Sequence, residues 1–516
     1  MSRTACPRAR AGMSAARPAA SLAVLAALAG APGAALADLT AEEVWRSWQE
    51  LAAGAGQAVE AGEEMRDGDT LTARDVRLSG QADDVSVAAA IDEIVFTEAG
   101  DGSVSVRLSE AYDVVLSGQA GERLVLSVAH PGLRMVVAEG DSGLRHQLTA
   151  PEFTVAVTER SGPDMPEALD LTLSATRLSA VYDVTGVAGE VGVSDLRAGA
   201  LDLDLGVADA GDRFDLRYGL TGLALRFAGS GLDRADAIEG GNLGDALQEG
   251  LSVDLGVTYD TLRYALDVVE DGEASGAAGS AMQGDLRFAL DAGGLALSTE
   301  SRNGEVTLRG PEMPAPEVTL RAAELGYGLR LPTVGGPEPQ PVTAVIRLVE
   351  ATAPEQVWVM ADPSGALPRG PVTAVIDLAA EAILPGDLFG MQTMFAFMMG
   401  GPFEAVQPTA LNINEVILRA AGAELTGRGA FTLDPTDLAT FDGFPRPQGE
   451  LNLMLRGGNA LLDTLVEVGL LPADQANAAR MVMALFARPG EGPDELESTI
   501  EIREGGAVFA NGMRLQ

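Results

Sequence analysis

Apolar and polar residues alternate along most of the chain from Thr70 onward. The alternation is clear in LTARDVRLSG (71–80), SVSVRLSEAYDVVLSG (103–118) and LDLTLSATRLSAVYDV (169–184). A two-residue period places one side of a strand on a core and the other in water. Breakers such as EAGDG (98–102) separate these segments, which is typical of consecutive antiparallel hairpins. The pattern predicts a mostly β protein of elongated, curved antiparallel meander sheets, with an N-terminal helix and a few short helices in the C-terminal half.

A loose repeat recurs within the alternating segments. LTARDVRLSG (71–80), LTAPEFTVAV (148–157) and LSATRLSAVY (173–182) each place a small residue third, before a second apolar pair. We interpret this repeat as one type of hairpin used several times, and not as a solenoid. The alternation also slips by one position at Glu415-Val416 and breaks at Gly422, which predicts an irregular strand followed by a turn.

The segment DLTAEEVWRSWQELAAGAGQ (38–57) has a helical pattern instead. Thr40 followed by Glu43 forms a capping box, in which each side chain satisfies the free backbone N–H of the other residue. Apolar residues then recur at helical spacing: Val44, Trp45, Trp48 and Leu51. The pattern predicts one amphipathic helix whose two tryptophans pack on the first sheet.

Further helices are predicted near 387–399 and 459–488, with Asp387 and Asn459 as their capping residues. The first lies in LPGDLFGMQTMFAFMMGG (384–401), where Met and Phe occur on all sides. About twelve helical residues span roughly 18 Å, which is too short for a bilayer. Two interpretations remain open: a helix buried beneath the sheet, or an adaptable surface that faces a lipid or a partner.

The resulting domain organisation has five parts. They are a signal peptide (1–37), the N-terminal helix region (38–66), an N-terminal antiparallel β region (67–330), a Pro-rich crossing (331–342) and a C-terminal β region with helices (343–516). The crossing, LPTVGGPEPQPV, places four prolines in twelve residues, which is typical of a rigid connection.

The amino-terminal segment has the pattern of an export signal. Four arginines (Arg3, Arg8, Arg10 and Arg17) precede the apolar run AASLAVLAALAG (19–30), and ALA at 35–37 fits a cleavage site after Ala37. Met1 and Met13 are both compatible with the start of translation, and an uncleaved anchor is the alternative. The pattern predicts a periplasmic protein.

Composition narrows the classes of partner and chemistry. The chain has 75 Asp and Glu against 35 Lys and Arg, a net charge of −40, and such a surface repels nucleic acids and anionic lipid headgroups. Cys6, the only cysteine, lies in the leader, so the exported chain would contain none. No other apolar run reaches about 18 residues, which predicts no transmembrane span in the mature chain.

No arrangement of reactive residues stands out. The only histidines, His130 and His146, lack metal-ligand spacing, and we interpret both as hydrogen-bonded residues of a loop or strand. Asp202 and Asp204 share one strand face, but nothing in the sequence indicates a pocket around them. The sequence predicts no cofactor, no metal site and no enzymatic activity.

The connector PEQVWVMADPSGALPRGPVTAVIDL (354–378) resembles the signature of a known family. The matching residues are Trp358, Asp362-Pro363, Leu367-Pro368-Arg369 and Pro371. The resemblance is to the domain of unknown function 2125 family of uncharacterised secreted Gram-negative proteins. More loosely, the C-terminal segment is similar to AsmA-like envelope proteins, whose strands form long curved sheets with an apolar interior. The resemblance implies a compartment and a shape, and no activity or site.

Two functions remain as hypotheses. The first is a non-enzymatic envelope protein, acting as a structural or interaction module of unknown pathway. The alternative is a carrier or chaperone that binds a lipid or another apolar ligand along a curved β-sheet groove. The partners considered are an envelope protein or a lipid, and no oligomeric state follows from the sequence. The candidate binding residues are Trp358, Met394, Phe395, Phe397 and Met398. For the connector, a structural role in which Arg369 pairs with Asp362 is the alternative to ligand binding.

Overall fold

The computed structural model describes residues 38–515, except 55, 83, 141–142, 164, 186–190, 233–242, 391–392, 394 and 396–405. The predicted leader and three of the candidate binding residues lie outside the described part: Met394, Phe397 and Met398. The chain forms two units, the first with residues up to Pro166 and Leu178–Val187, the second with Glu167–Arg177 and Ala188–Gln516. The predicted class is confirmed: the chain is mostly antiparallel β structure, with an N-terminal helix and a few short helices.

In its described part, the first unit contains one helix and the shorter strands. Helix α1 covers Ala41–Gly54. The strands are β1 (Gln57–Glu60), β2 (Glu63–Asp67), β3 (Thr70–Ala82), β4 (Val85–Glu98), β5 (Val104–Leu108), β6 (Ala111–Gly118), β7 (Arg123–Ala129), β8 (Arg134–Glu139) and β9 (Gly143–Ser161). Strand β10 (Ala168–Thr185) contributes residues to both units.

The sheet of the first unit divides into two branches and closes again. Strand β4 pairs with β3 along its length, with β6 through its first half and with β5 through its second half. Strand β6 continues to β7 and β5 continues to β8, and both β7 and β8 then pair with the long strand β9. All these pairings are antiparallel: β3–β4, β4–β5, β6–β7 and β8–β9 are hairpins, whereas the connections β5–β6 and β7–β8 pass from one branch to the other.

Helix α1 covers one side of this sheet through the tryptophan stripe that the sequence predicts. The capping box is confirmed, because the Thr40 N–H donates to Glu43 Oε2 (2.9 Å) and the Glu43 N–H donates to Thr40 Oγ1 (3.3 Å). Trp45 and Trp48 are buried, and their rings lie 5.7 and 5.4 Å from the ring of Phe96. These three aromatic rings form the centre of the core of the first unit.

The loose repeat is not a hairpin, which corrects the sequence interpretation. Each copy lies inside one strand: β3, β9 or β10. In β3 both Ala73 and Val76 are buried, although residues three apart in a regular strand face opposite sides. Asp75, between them, has a φ of 50°, and this left-handed residue inverts the alternation. The repeat therefore marks the position where a strand changes the parity of its buried residues.

The second unit contains the long strands and, among the described residues, four helices of six or more residues. The strands are β11 (Val191–Asp209), β12 (Asp212–Ser230), β13 (Ser252–Glu270), β14 (Glu273–Asp291), β15 (Gly294–Arg309), β16 (Val318–Leu331), β17 (Gly336–Ala351), β18 (Val372–Leu384), β19 (Gln407–Ala420), β20 (Ala423–Asp434), β21 (Arg446–Arg456), β22 (Arg488–Pro489), β23 (Glu495–Ile502), β24 (Val508–Ala510) and β25 (Met513–Arg514). The described helices are α2 (Leu243–Gln248), α3 (Glu355–Ala361), α4 (Gly458–Glu467) and α5 (Ala473–Phe486).

Strands β11 to β21 form an uninterrupted antiparallel meander, in which each strand pairs with the next. Strand β23 then pairs with β21. The predicted slip in β19 is confirmed as a register shift between Ile413 and Val416, where Asn414 and Glu415 oppose one residue of β20. Near one end of the meander, α2 supplies a small core: Leu243, Ala246, Leu247, Leu251 and Leu290.

Two capping predictions for the second unit are wrong. The Asp387 carboxylate accepts from the Gly335 N–H (2.8 Å) and residues 387–390 form a turn, so Asp387 does not begin a helix there. Gly457, with a φ of 69°, is the residue before α4, and the Asp494 carboxylate accepts the Asn459 and Ala460 N–H groups. A carboxylate from a distant segment thus replaces the predicted Asn459 cap. The Pro-rich segment 331–342 lies within the second unit, and its residues from 336 onward belong to β17.

Candidate functional site

The two described candidate binding residues, Trp358 and Phe395, lie on opposite sides of β18 along the chain. Trp358 is half-buried on α3, a short helix that the sequence pattern did not predict within the connector. Phe395 is helical and 60% exposed. It follows β18 in the chain, whereas Trp358 precedes that strand. The remaining candidates lie outside the described residues, so their binding role stays a prediction.

The connector is organised around the buried carboxylate of Asp362. Its Oδ1 accepts from the Ser364 hydroxyl (2.7 Å) and the Gly365 N–H (3.0 Å), and its Oδ2 accepts from the Leu367 N–H (2.8 Å). These hydrogen bonds, the one from Ser364 foremost, hold the pKa of Asp362 below its usual range. The carboxylate is fully used by the loop and is not available to a ligand.

Arg369 does not pair with the Asp362 carboxylate, contrary to the sequence interpretation. Its guanidinium donates to the backbone carbonyl of Asp362 (3.3 Å) and forms an ion pair with Glu355. The arginine therefore joins the first turn of α3 to the end of the loop. Two signature residues, Asp362 and Arg369, therefore stabilise the loop that connects β17 to β18.

We expect Asp362→Ala to lower the melting temperature of the protein by roughly 5 °C or more, because several loop donors lose their only side-chain acceptor. Circular dichroism during heating measures the effect. Ser364→Ala is the matched control, since it removes one donor and leaves the carboxylate to the backbone N–H groups. Equal melting temperatures for Asp362→Ala and the wild type would contradict the assignment.

One face of the central meander carries large apolar side chains that no layer of described residues covers. We define the apolar face by five residues: Leu286, Leu325, Tyr327, Ile346 and Leu418. Strand register places them together, because Thr299 lies opposite Leu286 and Tyr327, and Tyr327 lies opposite Ile346. The row continues through Ile376 to Val416, two residues before Leu418. Directly opposed residues of antiparallel strands share a face.

The exposure of this face is not an edge effect. All its strands, β14 to β19, are hydrogen-bonded to a neighbour on both sides, yet its five side chains are 38–49% exposed. The opposite face carries charged residues at the alternate positions: Arg287, Glu300, Arg330, Arg347 and Asp377. The alternating sequence thus gives a sheet with one charged face in water and one apolar face that the described residues do not bury.

A shallow cavity of about 570 Å³ lies over β19, β20, β21 and β23. Its polar groups are paired: Arg488 with Glu497 (3.2 Å), and the Thr499 hydroxyl with Asn452 Oδ1 (2.8 Å). Its lining contains no histidine or cysteine. Paired groups in an open depression do not provide an unoccupied acid, base or nucleophile.

The two histidines lie in the first unit and are buried. The Trp48 indole N–H donates to His146 Nε2 (3.3 Å), and the Tyr182 ring stacks on the imidazole at 4.8 Å with an interplanar angle of 2°. His146 Nδ1 and His130 Nδ1 have no hydrogen-bond partner among the described residues, which corrects the expectation of fully hydrogen-bonded histidines. Burial lowers the pKa of His146 to about 4 and also lowers the pKa of His130. Both residues are therefore neutral parts of the core at pH 7.

Within the described residues, no group of three or more His, Cys, Asp or Glu side chains is placed to hold a metal ion. None of the helices in the described part of the chain is long and apolar enough to cross a bilayer.

The strands β14 to β25, with the connector and the helical hairpin between β21 and β22, coincide with a family match. Residues 270–515 match DUF2125, described as an uncharacterized protein conserved in bacteria. This region belongs to the DUF2125 family. The family resemblance found from the connector is thereby confirmed over these residues. The looser similarity to AsmA-like envelope proteins stays a prediction. No curated protein and no solved structure matches the chain.

Sequence reasoning identified the connector but missed the apolar face. Alternation marks Leu325, Tyr327 and Ile346 as facing a core, and nothing in that pattern shows whether a second layer covers them. Helix α3 had a local signal, because Pro354 followed by Glu355 is typical of a helix start.

Proposed function

We propose that this protein is a non-enzymatic periplasmic protein that holds the acyl chain of a lipid on its apolar face. One observation carries the proposal: large apolar side chains on four of six adjacent interior strands (β14, β16, β17 and β19) remain exposed in a region where strand pairing is complete. Contiguous apolar patches of this kind are typical of interaction sites in proteins. Burying apolar area contributes about 25 cal/mol per Å², so an occupant of this face gains binding free energy.

The chemistry of the face favours an acyl chain over a polar ligand. Its backbone N–H and C=O groups are used in the strand ladders, and its only hydroxyls among the opposed residues named above are those of Thr299 and Tyr327. Of the side chains that most often anchor protein partners, Trp, Tyr and Arg, the five residues of the apolar face include only one, Tyr327. An extended apolar ligand needs no hydrogen-bonding partners and matches such a surface.

The compartment and the absence of catalysis are parts of the same proposal. The basic leader and its short apolar run support export. The non-enzymatic role is supported by the positions of the two histidines, which are buried in the first unit, away from solvent. The alternative, a structural or interaction module of the envelope, requires that a protein and not a lipid covers the face.

The test is lipid binding by the exported protein. Native mass spectrometry of gently purified protein is expected to show a co-purifying lipid, and a pyrene-labelled fatty acid is expected to bind. Ile346→Glu places a charge in the centre of the apolar face and is expected to weaken probe binding at least tenfold, by about 1.4 kcal/mol or more.

The matched control is Val345→Glu, one residue away on the opposite face of β17. This variant adds the same charge and is expected to bind the probe as the wild type does. Absence of both co-purifying lipid and probe binding, or equal loss in the two variants, would reject the acyl-chain proposal in favour of the interaction module.

A further inference from the structure

The connector and the helical hairpin lie at the same end of the sheet in the second unit. Strand β18 begins beside the end of β19, and β20 begins beside the end of β21. A methyl group added at Gly422, in the β19–β20 turn, would lie 3.2 Å from Pro368 Cγ of the connector. A methyl group added at Gly457, before α4, would lie 2.5 Å from the Gly422 carbonyl oxygen. The connector, the turn and the start of the hairpin are therefore in continuous contact.

Helix α5 packs through one side and presents an apolar stripe on the other. On the packed side, Ala476 is fully buried, Arg480 forms an ion pair with Asp463 of α4, and the Phe486 carbonyl accepts from Ser498 Oγ (2.6 Å). The exposed side contains four residues at i, i+3, i+4 and i+7 spacing, which we call the α5 stripe: Ala478, Met481, Val482 and Leu485. Its three large side chains are 49–72% exposed. Such spacing gives one continuous apolar line along a helix.

A second apolar projection lies at the same end of the sheet. Helix α3 exposes Val359 and Met360, the latter to 70%. Leu470, between α4 and α5, is 52% exposed. Three segments of the connector and the helical hairpin, which meet at one end of the sheet, thus present exposed apolar side chains.

We propose that this end of the second unit binds the surface of a zwitterionic lipid bilayer, with the α5 stripe inserted at the level of the headgroups. Separate short projections suit a flat surface, and an amphipathic helix buries its apolar side at the bilayer interface. All four residues of the α5 stripe are uncharged. The rest of α5 carries one acidic and one basic residue, Asp474 and Arg480, so the net charge of the helix is zero. The net charge of −40 opposes binding to anionic lipids.

A protein contact fits the stripe less well. Four residues of one helix expose only a few hundred square ångströms, whereas a stable pair of proteins buries about 800 Å² on each partner. The stripe contains no Trp, Tyr or Arg, which dominate the binding energy of protein interfaces. A bilayer contact at this end would bring lipid close to the sheet that carries the apolar face. This reason for membrane binding rests on the proposed function, whereas the binding itself does not.

The test is flotation of the exported chain with phosphatidylcholine vesicles, after its mass has shown that residues 1–37 are removed. Wild-type protein is expected to float with the vesicles. Met481→Glu combined with Leu485→Glu is expected to reduce the bound fraction at least fivefold. Ala473→Glu combined with Ala484→Glu is the matched control, because it adds the same charge to exposed positions of α5 beside the stripe and not along it.

A single-cysteine label gives a local readout, since the chain after the leader has no cysteine. An environment-sensitive fluorophore on Met481→Cys is expected to brighten severalfold with phosphatidylcholine vesicles, whereas the same fluorophore on Ala473→Cys is expected to change little. Equal flotation of both charge variants, or binding only when phosphatidylglycerol is present, would overturn the proposal. So would absence of flotation together with self-association that depends on Met481 and Leu485. Loss of acyl-probe binding with intact flotation would reject only the proposed function.

Discussion

Phe96→Ala is expected to destabilise the first unit by about 4 kcal/mol, the largest effect of a single substitution that we anticipate. Phe96 is fully buried and contacts both Trp45 and Trp48, so its removal leaves a cavity between the sheet and α1. Truncation of a buried Phe costs the transfer free energy of the ring and the free energy of that cavity. The helix then loses the surface on which its tryptophan stripe packs.

Urea unfolding followed by tryptophan emission measures this effect in a Trp358→Phe background. The remaining tryptophans, Trp45 and Trp48, then report on the first unit alone. Val95→Ala is the control, because Val95 is adjacent on β4, half-buried and on the other side of the strand. Its expected cost is about 1 kcal/mol. A similar loss of unfolding free energy for Phe96→Ala and Val95→Ala would show that Phe96 does not lie at the centre of the core.

The first unit is also expected to lose stability in acid because of His146. The folded-state pKa of about 4 lies below the ordinary value of 6.5, so the folded protein holds the neutral imidazole. As the pH falls from about 6.5 towards 4, the unfolded chain binds a proton that the folded chain does not. The unfolding free energy attributable to this residue then falls by up to roughly 3 kcal/mol.

The surroundings of His146 add no opposing titration in this window. Tyr182, which stacks on it, has a raised pKa and stays neutral. The Arg145 guanidinium holds the pKa of Asp183 below its usual range, so this carboxylate stays charged. Asp183 and the backbone of Leu144 favour the protonated imidazole, but burial outweighs them.

His146→Gln isolates the effect, because an amide oxygen can still accept from the Trp48 N–H and does not titrate. The difference in unfolding free energy between wild type and variant is expected to narrow as the pH falls from 7 to 4. His130 also has a lowered pKa and remains in both proteins, so its contribution cancels. A difference that stays constant over this range would show that His146 is accessible to protons in the folded state.

The candidate site was predictable only in part, and the reason is geometric. Trp358, Asp362 and Arg369 attract notice as a motif, yet the structure uses Asp362 and Arg369 to fasten a loop. Ile346 belongs to no motif in the sequence, because apolar residues at alternate positions occur in the strands of any sheet. Whether a second layer covers such a residue depends on segments distant in the chain, and no local pattern encodes it.

The caps show the same division between local and distant information. Thr40 and Glu43 lie three residues apart and satisfy each other, so the sequence predicts their hydrogen bonds correctly. The start of α4 is capped by Asp494, 35 residues after Asn459, and only the folded chain reveals that contact. The tertiary structure also decided the meaning of the repeat, because Ala73 and Val76 are both buried only after Asp75 has inverted the strand.

By itself the sequence determined the antiparallel β class, the helix with the two tryptophans, the slip in β19 and the family resemblance of the connector. These depend on periodicity and on contacts within a few residues, which the order of side chains specifies directly. Only the tertiary structure decided the branching of the first sheet, the burial of His146, the uncovered face around Ile346 and the gathering of three apolar projections at one end. Those features depend on which strands pair and on what lies above them, and a two-residue period is compatible with many such arrangements.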